Sequence, residues 1–490
     1  MNIKKYWFLV LIVLSSCTRW LDVTPKDIIV EDDLFESYLG YRNSLNGIYK
    51  QMANVTLYGQ ETSWGFLDVV SNLYYAGTGY IGYYNRYYKV MNYNYEDEEV
   101  RPIIDGIWSE AYNIIANSNN LIGQIEKADS TEFPLGEKEQ GMILGEALGI
   151  RAFLHFDMLR LFAPAPIVDD NKKYIPYYEA FPSHGESYNT VKEVLNKVII
   201  DLERARILVA AYDTLTTDHQ NRLGCGVVNA RFSISGYDDP EDVFYAYRGY
   251  RMSYPAIVSI LSRVYSYAGR HEEAFKCAQE VIELMSPTGN SLLFYFTASS
   301  DAVSDKKMMK DLIFALSSPK LYDNYAPYSV QSYVSDKACF FVRSVNDMFD
   351  DVSDYRKKYL MNQFNSYYMP NRNIRLSGSG DGGISDLLPM IRLSELYYIQ
   401  AEYYASISDW NKAASAIEEV RKGRDCTGNV LTSRIIDYET FKVELLKEVK
   451  REFITEGQVF FYYKKFDEKF TALMSRQDFV LPLPEAESIN

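Results

Sequence analysis

The sequence predicts a mostly α-helical protein in which helical hairpins carry long irregular loops. Three observations predict it. Apolar residues recur every three or four positions over several long stretches, the period of one buried helix stripe. Two pairs of these stretches share an internal spacing: Tyr265 stands nine residues before Ala274, and Tyr404 nine before Ala413. Between the periodic stretches lie segments dense in tyrosine and glycine, and glycine interrupts regular structure.

The chain opens MNIKKYWFLVLIVLSSC. Lys4 and Lys5 precede an apolar run over 6–14, too short to span a bilayer. Residues 1–16 therefore read as a signal peptide. Leu14-Ser15-Ser16-Cys17 resembles the lipobox of bacterial lipoproteins, which makes Cys17 the expected lipidated residue. Acyl chains such as palmitate anchor through apolar burial, roughly 0.8 kcal/mol for each CH₂. Residues 17–30 form the expected tether, and Pro25 favours an extended leader.

Helices are expected over 34–52, 104–125 and from 139 to a stop at Pro164 and Pro166. In the last of these, Leu144, Leu148, Ala152, Phe156, Leu159 and Phe162 form the stripe. Arg151 and Asp157 lie beside it and need partners if buried. Residues 64–95 differ in character, with nine tyrosines from Tyr74 to Tyr95 interrupted by Gly77, Gly79 and Gly82. A further helix is expected over 191–209, and the polar stretch 216–248 reads as an inserted loop or short hairpin. The two hairpins follow at 254–285 and 396–420, each resembling a tetratricopeptide unit with a small alanine at the helix crossing. Between them, 291–383 is irregular and aromatic. Long loops inside a helical scaffold carry function. The expected division is 31–290 and 291–490.

Composition narrows the function. The formal net charge is −15, the wrong sign for a duplex-binding face. There are 43 Tyr against 25 Phe and 5 Trp, a surplus that suits half-wet binding surfaces better than a core. Cys17, Cys225, Cys277, Cys339 and Cys426 include no CxxC pair, so no metal or redox motif is read. His271-Glu272 starts an HExxH motif that fails at Phe275, and the GxGxxG at 378–383 reads as a flexible loop. The acidic pairs Asp238-Asp239 and Asp350-Asp351 read as solvated loops. No catalytic residue, metal or cofactor is expected, and the protein is not read as an enzyme.

A family resemblance runs through the whole chain. Cys17, Leu21-Asp22 and Pro25 resemble the CxxxLDxxP opening of the SusD/RagB family, and RAFLHFDMLRLFAPAPIV resembles its RAxxYFxLxxxFGxxPLV segment. Asp354-Tyr355-Arg356 resembles its DxR; Arg392 with Glu395 and Glu402, Val420-Arg421 with Arg424, Glu448 with Glu452, Glu456 and Gly457, and the ending Leu481-Pro-Leu-Pro484 follow in the family's order. Ser394 stands where the family has Ala, and Gln458 and Tyr462-Tyr463 replace its Arg and Asp-Leu. The charges that match these motifs read as scaffold.

This resemblance implies a SusD-like α-α superhelix on an outer-membrane lipoprotein of Bacteroidetes, lipid-anchored and exposed at the cell surface. It implies a binding protein that captures oligosaccharide and delivers it to a SusC-type TonB-dependent barrel. RagB-like capture of peptides is the alternative, and a surface hydrolase a more distant one. It also implies that ligand aromatics come from an early loop region and from an insertion before the last repeat, here 64–88 and 295–333. A planar ring covers the apolar C–H face of a pyranose while polar groups take its hydroxyls. The expected ligand residues are Trp64, Asn72, Tyr74, Tyr75 and Tyr80 in the first region. In the second they are Tyr322, Asn324, Tyr325 and Tyr328.

Overall fold

The protein is described by a computed structural model covering residues 34–490, apart from 78, 184, 186, 225–229, 233–241, 287–288, 330–338, 376–385, 429, 486 and 488–490. The expected signal peptide, Cys17 and the tether lie outside the described residues. So do Cys225, Asp238-Asp239 and the GxGxxG loop.

Long helices dominate. α1 (Tyr38–Met52) buries Tyr41, Leu45, Ile48 and Met52, the stripe its spacing predicts. α2 (Arg101–Ile125) carries Pro102 in its first turn, where a missing N–H costs nothing. α3 (Glu137–Phe162) is buried at every position from Met142 to Phe162. The predicted stripe is one face only; α2 and α4 (Val191–Asp213) cover the others. Its charges accordingly find partners. Arg151 donates two 2.7 Å hydrogen bonds to Asp201, and the Tyr58 hydroxyl donates to Asp157 at 2.6 Å. α4 starts on a capping box of Thr190 and Glu193.

The two predicted hairpins are α5 (Tyr254–Tyr267) with α6 (His271–Ile282), and α7 (Leu393–Ser406) with α8 (Trp410–Lys422). α6 packs on α7. Ala274 and Ala413 are fully enclosed, so the small residue serves close helix approach. α9 (Tyr438–Phe453) and α10 (Gln458–Lys465) close the array. Cys277 is a buried small apolar residue on α6.

Strand content is small: β1 (Lys173–Pro176) with β2 (Tyr188–Thr190), β3 (Leu312–Ser317) with β6 (Leu387–Arg392), and β4 (Met361–Phe364) with β5 (Tyr367–Pro370), each pair antiparallel. β3 and β6 lie inside the region 291–383 and at its edge, which reads as irregular from sequence. Both are buried on two faces, so their residues form short apolar runs without a period.

Charge fastens the C-terminal helices to the loops before them. Arg356 donates to Asp354 at 2.7 Å, Glu448 at 3.0 Å and Glu452 at 2.9 Å, all fully buried. Arg424 pairs with Glu452 and Asp311. Burial opposes ionisation of Glu448, but Arg356, Arg451 and Arg421 outweigh it and hold its carboxyl down at about 2. The charges that match the family motifs are thus structural.

Candidate functional site

Three distant segments meet in one short ladder. Asn72 adopts a left-handed φ of 55°, a conformation asparagine tolerates, and redirects the chain after the helical turn Phe66–Val70. Tyr74 then pairs antiparallel with Val342, and Val342 with Tyr368 of β5. Tyr75 N–H donates to the Phe341 carbonyl at 2.8 Å and Arg343 N–H to that of Leu73 at 2.8 Å. The β4–β5 hairpin turns at Asn365, again left-handed with φ 54°. Alternation along extended chain sends neighbouring side chains to opposite faces, so the ladder has an inner and an outer aromatic layer.

The inner layer is core. Trp64 is fully enclosed, its indole N–H donating to the Gly59 carbonyl at 3.1 Å. It meets Tyr325 and Tyr328 edge-on at 5.1 and 5.4 Å. Tyr74 stacks on Phe340 at 4.5 Å, with its hydroxyl 3.0 Å from Asp68. Asp68 also accepts from the backbone N–H groups of Thr455 and Gly457 at 2.6 and 3.1 Å, which ties this layer to the start of α10. Burial pushes the Asp68 carboxyl up to about 7 against those hydrogen bonds.

The outer layer reaches solvent. The half-buried rings of Tyr75, Tyr80 and Tyr367 lie with centroids 5.7 Å (Tyr75–Tyr80), 5.6 Å (Tyr75–Tyr367) and 5.1 Å (Tyr80–Tyr367) apart. Phe341 backs them, 5.8 Å from Tyr80 and 5.7 Å from Tyr367. The hydrogen bond with Tyr367, then burial, pushes the Tyr80 hydroxyl up to about 12. Beyond them Tyr83 and Tyr84 are 58% and 97% exposed. Clefts of about 610 and 720 Å³ lie elsewhere, one around Gln60, Glu61 and Arg86, the other around Tyr267, His271, Glu402 and Lys465. The tyrosine trio is a partly exposed cluster whose rings are tilted 43° (Tyr75–Tyr80), 57° (Tyr80–Tyr367) and 87° (Tyr75–Tyr367) to one another, so it offers a mixture of ring faces and edges rather than one flat surface.

The structure therefore brings the two expected regions together but sorts their residues. Trp64, Tyr74, Tyr322 and Tyr325 are enclosed, with no ring face open to a ligand. The reason is chemical: each large ring finds an aromatic or cationic neighbour inside, Trp64 and Tyr325 each other, Tyr74 Phe340 and Tyr322 Lys307. The polar tips of Trp64, Tyr74 and Tyr325 find buried acceptors there as well, namely the Gly59 carbonyl, Asp68 and the Pro370 carbonyl. Tyr75, Tyr80, Tyr328, Asn72 and Asn324 keep partial exposure, and no described side-chain hydrogen bond engages either asparagine amide. Tyr367 and Phe341 fall outside the expected windows. Alternation around the Asn365-Ser366 turn could have flagged Tyr367; nothing in the sequence points to Phe341.

His155 belongs to the scaffold. It stacks on Tyr177 at 3.9 Å and accepts from Tyr178 N–H at 3.0 Å, and burial pulls it down to about 3. Among the described residues no group of three His, Cys, Asp or Glu is arranged to hold a metal ion, and no helix is long and apolar enough to cross a membrane.

Two family descriptions match the chain in succession. Residues 20–223 match a SusD-like family described as starch-binding, associating with outer membrane, and residues 335–478 match the SusD family. The chain belongs to the SusD/RagB family. Among its SusD-like relatives are two from Formosa agariphila, each 23% identical, over 206 and 243 residues, or 41% and 48% of this chain. The matches span 38% and 42% of those relatives, about two fifths of their length. Solved SusD superfamily structures share the fold. One from Bacteroides vulgatus has a TM-score of 0.67 at 18% identity, covering 92% of this chain and 97% of its own. One from Bacteroides thetaiotaomicron has 0.65 at 19%, covering 94% and 98%. A laminarin-binding SusD-like protein has 0.59 at 16%, covering 92% and 97%. The mostly helical SusD-like fold expected from sequence is thus the fold of this chain.

Proposed function

We propose that this chain is a non-enzymatic, cell-surface lipoprotein that captures oligosaccharide and delivers it to a SusC-type TonB-dependent transporter. The observation that carries the binding reading is the trio of Tyr75, Tyr80 and Tyr367, half-exposed rings within 5.1 to 5.7 Å of one another. Such a platform covers the C–H face of a sugar, while the phenol hydroxyls and the amides of Asn72 and Asn324 supply hydrogen bonds at its edge. The family's starch-binding description and the laminarin-binding neighbour support a carbohydrate ligand. Cys17 supplies the anchor in this reading. The barrel as partner follows from the family and from the lipid anchor.

Calorimetry with glucan and other oligosaccharides tests the site. Tyr75→Ala, Tyr80→Ala and Tyr367→Ala should each weaken binding by about 1 kcal/mol or more, with the thermal melt little changed. Tyr84→Ala, off the trio, should bind as the parent does. Unchanged affinity in all three platform variants would place the site elsewhere.

A further inference from the structure

The platform carries a cation that no described carboxylate neutralises. Alternation puts Arg343 on the same face as Phe341, and its guanidinium carbon sits 5.9 Å from the Tyr75 ring centroid. Its Nε donates to the Tyr74 carbonyl. Neither Nη group has a described protein partner, and no described carboxylate pairs with it. Its electrostatic neighbours are the phenols Tyr75 and Tyr93, and half-burial without a counter-ion lowers its pKa. The contrast with its surroundings is sharp: Arg86, at the far end of the same tyrosine loop, is paired with Glu61 at 3.0 Å, and Arg356, Arg392 and Arg424 are paired throughout. Lys357, 5.6 Å from the Tyr368 ring on the same ladder, also has no described carboxylate partner.

A half-buried guanidinium that leaves its fork open has given up hydration without an ionic partner of its own. In a chain with net charge −15, carboxylates to pair with it are plentiful. We infer that Arg343 selects an anionic glycan, its two free Nη groups taking a carboxylate or sulfate ester on a sugar whose ring rests on Tyr75, Tyr80 and Tyr367. The fork matches either oxyanion in a bidentate manner. This inference rests on the oligosaccharide reading above and names the ligand class within it.

The test uses the full chain in detergent and three probes of equal length: a galacturonate oligosaccharide, a sulfated galactan oligosaccharide and a neutral laminari-oligosaccharide. At least one acidic probe should bind ~10-fold or more tighter than the neutral one, as charge-assisted hydrogen bonds imply. Which of the two wins identifies the oxyanion. The preference should shrink as salt rises. Arg343→Gln should collapse the acidic-to-neutral affinity ratio towards unity, and Arg343→Lys should recover part of it, with melting curves confirming the fold. A neutral probe that binds as well as both acidic ones, or a ratio unchanged in Arg343→Gln, overturns the inference and leaves the oligosaccharide reading standing. Binding of none of the three oligosaccharides overturns both.

Discussion

Single residues in this protein divide by what they do with their polar ends. Enclosed Tyr74 and Tyr325 give their hydroxyls to Asp68 and the Pro370 carbonyl, whereas Tyr75, Tyr80 and Tyr367 keep part of each side chain in solvent. Asp68 shows the cost of the inner arrangement. Its carboxyl is raised to about 7, above the ~3.9 of an unfolded aspartate. The folded state therefore holds a proton that the unfolded state releases, so this group's contribution is full below about pH 4 and is lost as pH rises towards 7. Asp68→Asn keeps the acceptor oxygen without the titration. Melting temperatures followed from pH 4 to 7 should fall less, or rise more, in the variant than in the parent protein; parallel curves would show that Asp68 does not titrate in this window.

Among the elements, α9 and α10 hold the site's backing in place. Glu452 lies between Arg356 and Arg424 with no exposure. Glu452→Gln leaves two buried guanidinium groups short of charge, and urea unfolding should show a loss of about 3–5 kcal/mol. A loss near zero would mean that the network rearranges freely. Gly457 starts α10 at a φ of 70°, and a Cβ there would meet the Thr62 carbonyl oxygen at 2.5 Å. Gly457→Ala should destabilise by more than about 1 kcal/mol and loosen the Asp68 bonds. Hydrogen exchange at Thr455 and Gly457 should then rise, while exchange in α5 and α6 stays as it was. The helices were legible beforehand because each buries a stripe of fixed period. β3 was not, since a strand covered on both faces writes no alternation.

The whole molecule is a helical array in which three distant segments meet in one short ladder, and the proposed transport role needs it tethered beside a barrel. Cys17→Ala should release the protein from the outer-membrane fraction. The native protein, drawn gently from detergent-solubilised outer membrane, should bring a large barrel with it. Retention of the alanine variant in the membrane, or recovery of the protein alone under conditions that keep such complexes whole, would count against that role.

The sequence by itself determined the helices, the two alanine-crossed hairpins and the family. These follow from local periodicity, from spacing between close neighbours and from motif order, all readable along one strand of text. Only the tertiary structure decided which aromatics face outward. Tyr74 and Tyr75 are adjacent and of one chemistry, yet one is sealed against Phe340 and the other opens beside Tyr80. Their fates are set by the register of 73–76 against 340–343, a pairing across more than 260 residues. Arg343 was likewise one basic residue among 51 Lys and Arg. Its distinction is that no described carboxylate pairs with it, and partners are a property of the folded chain.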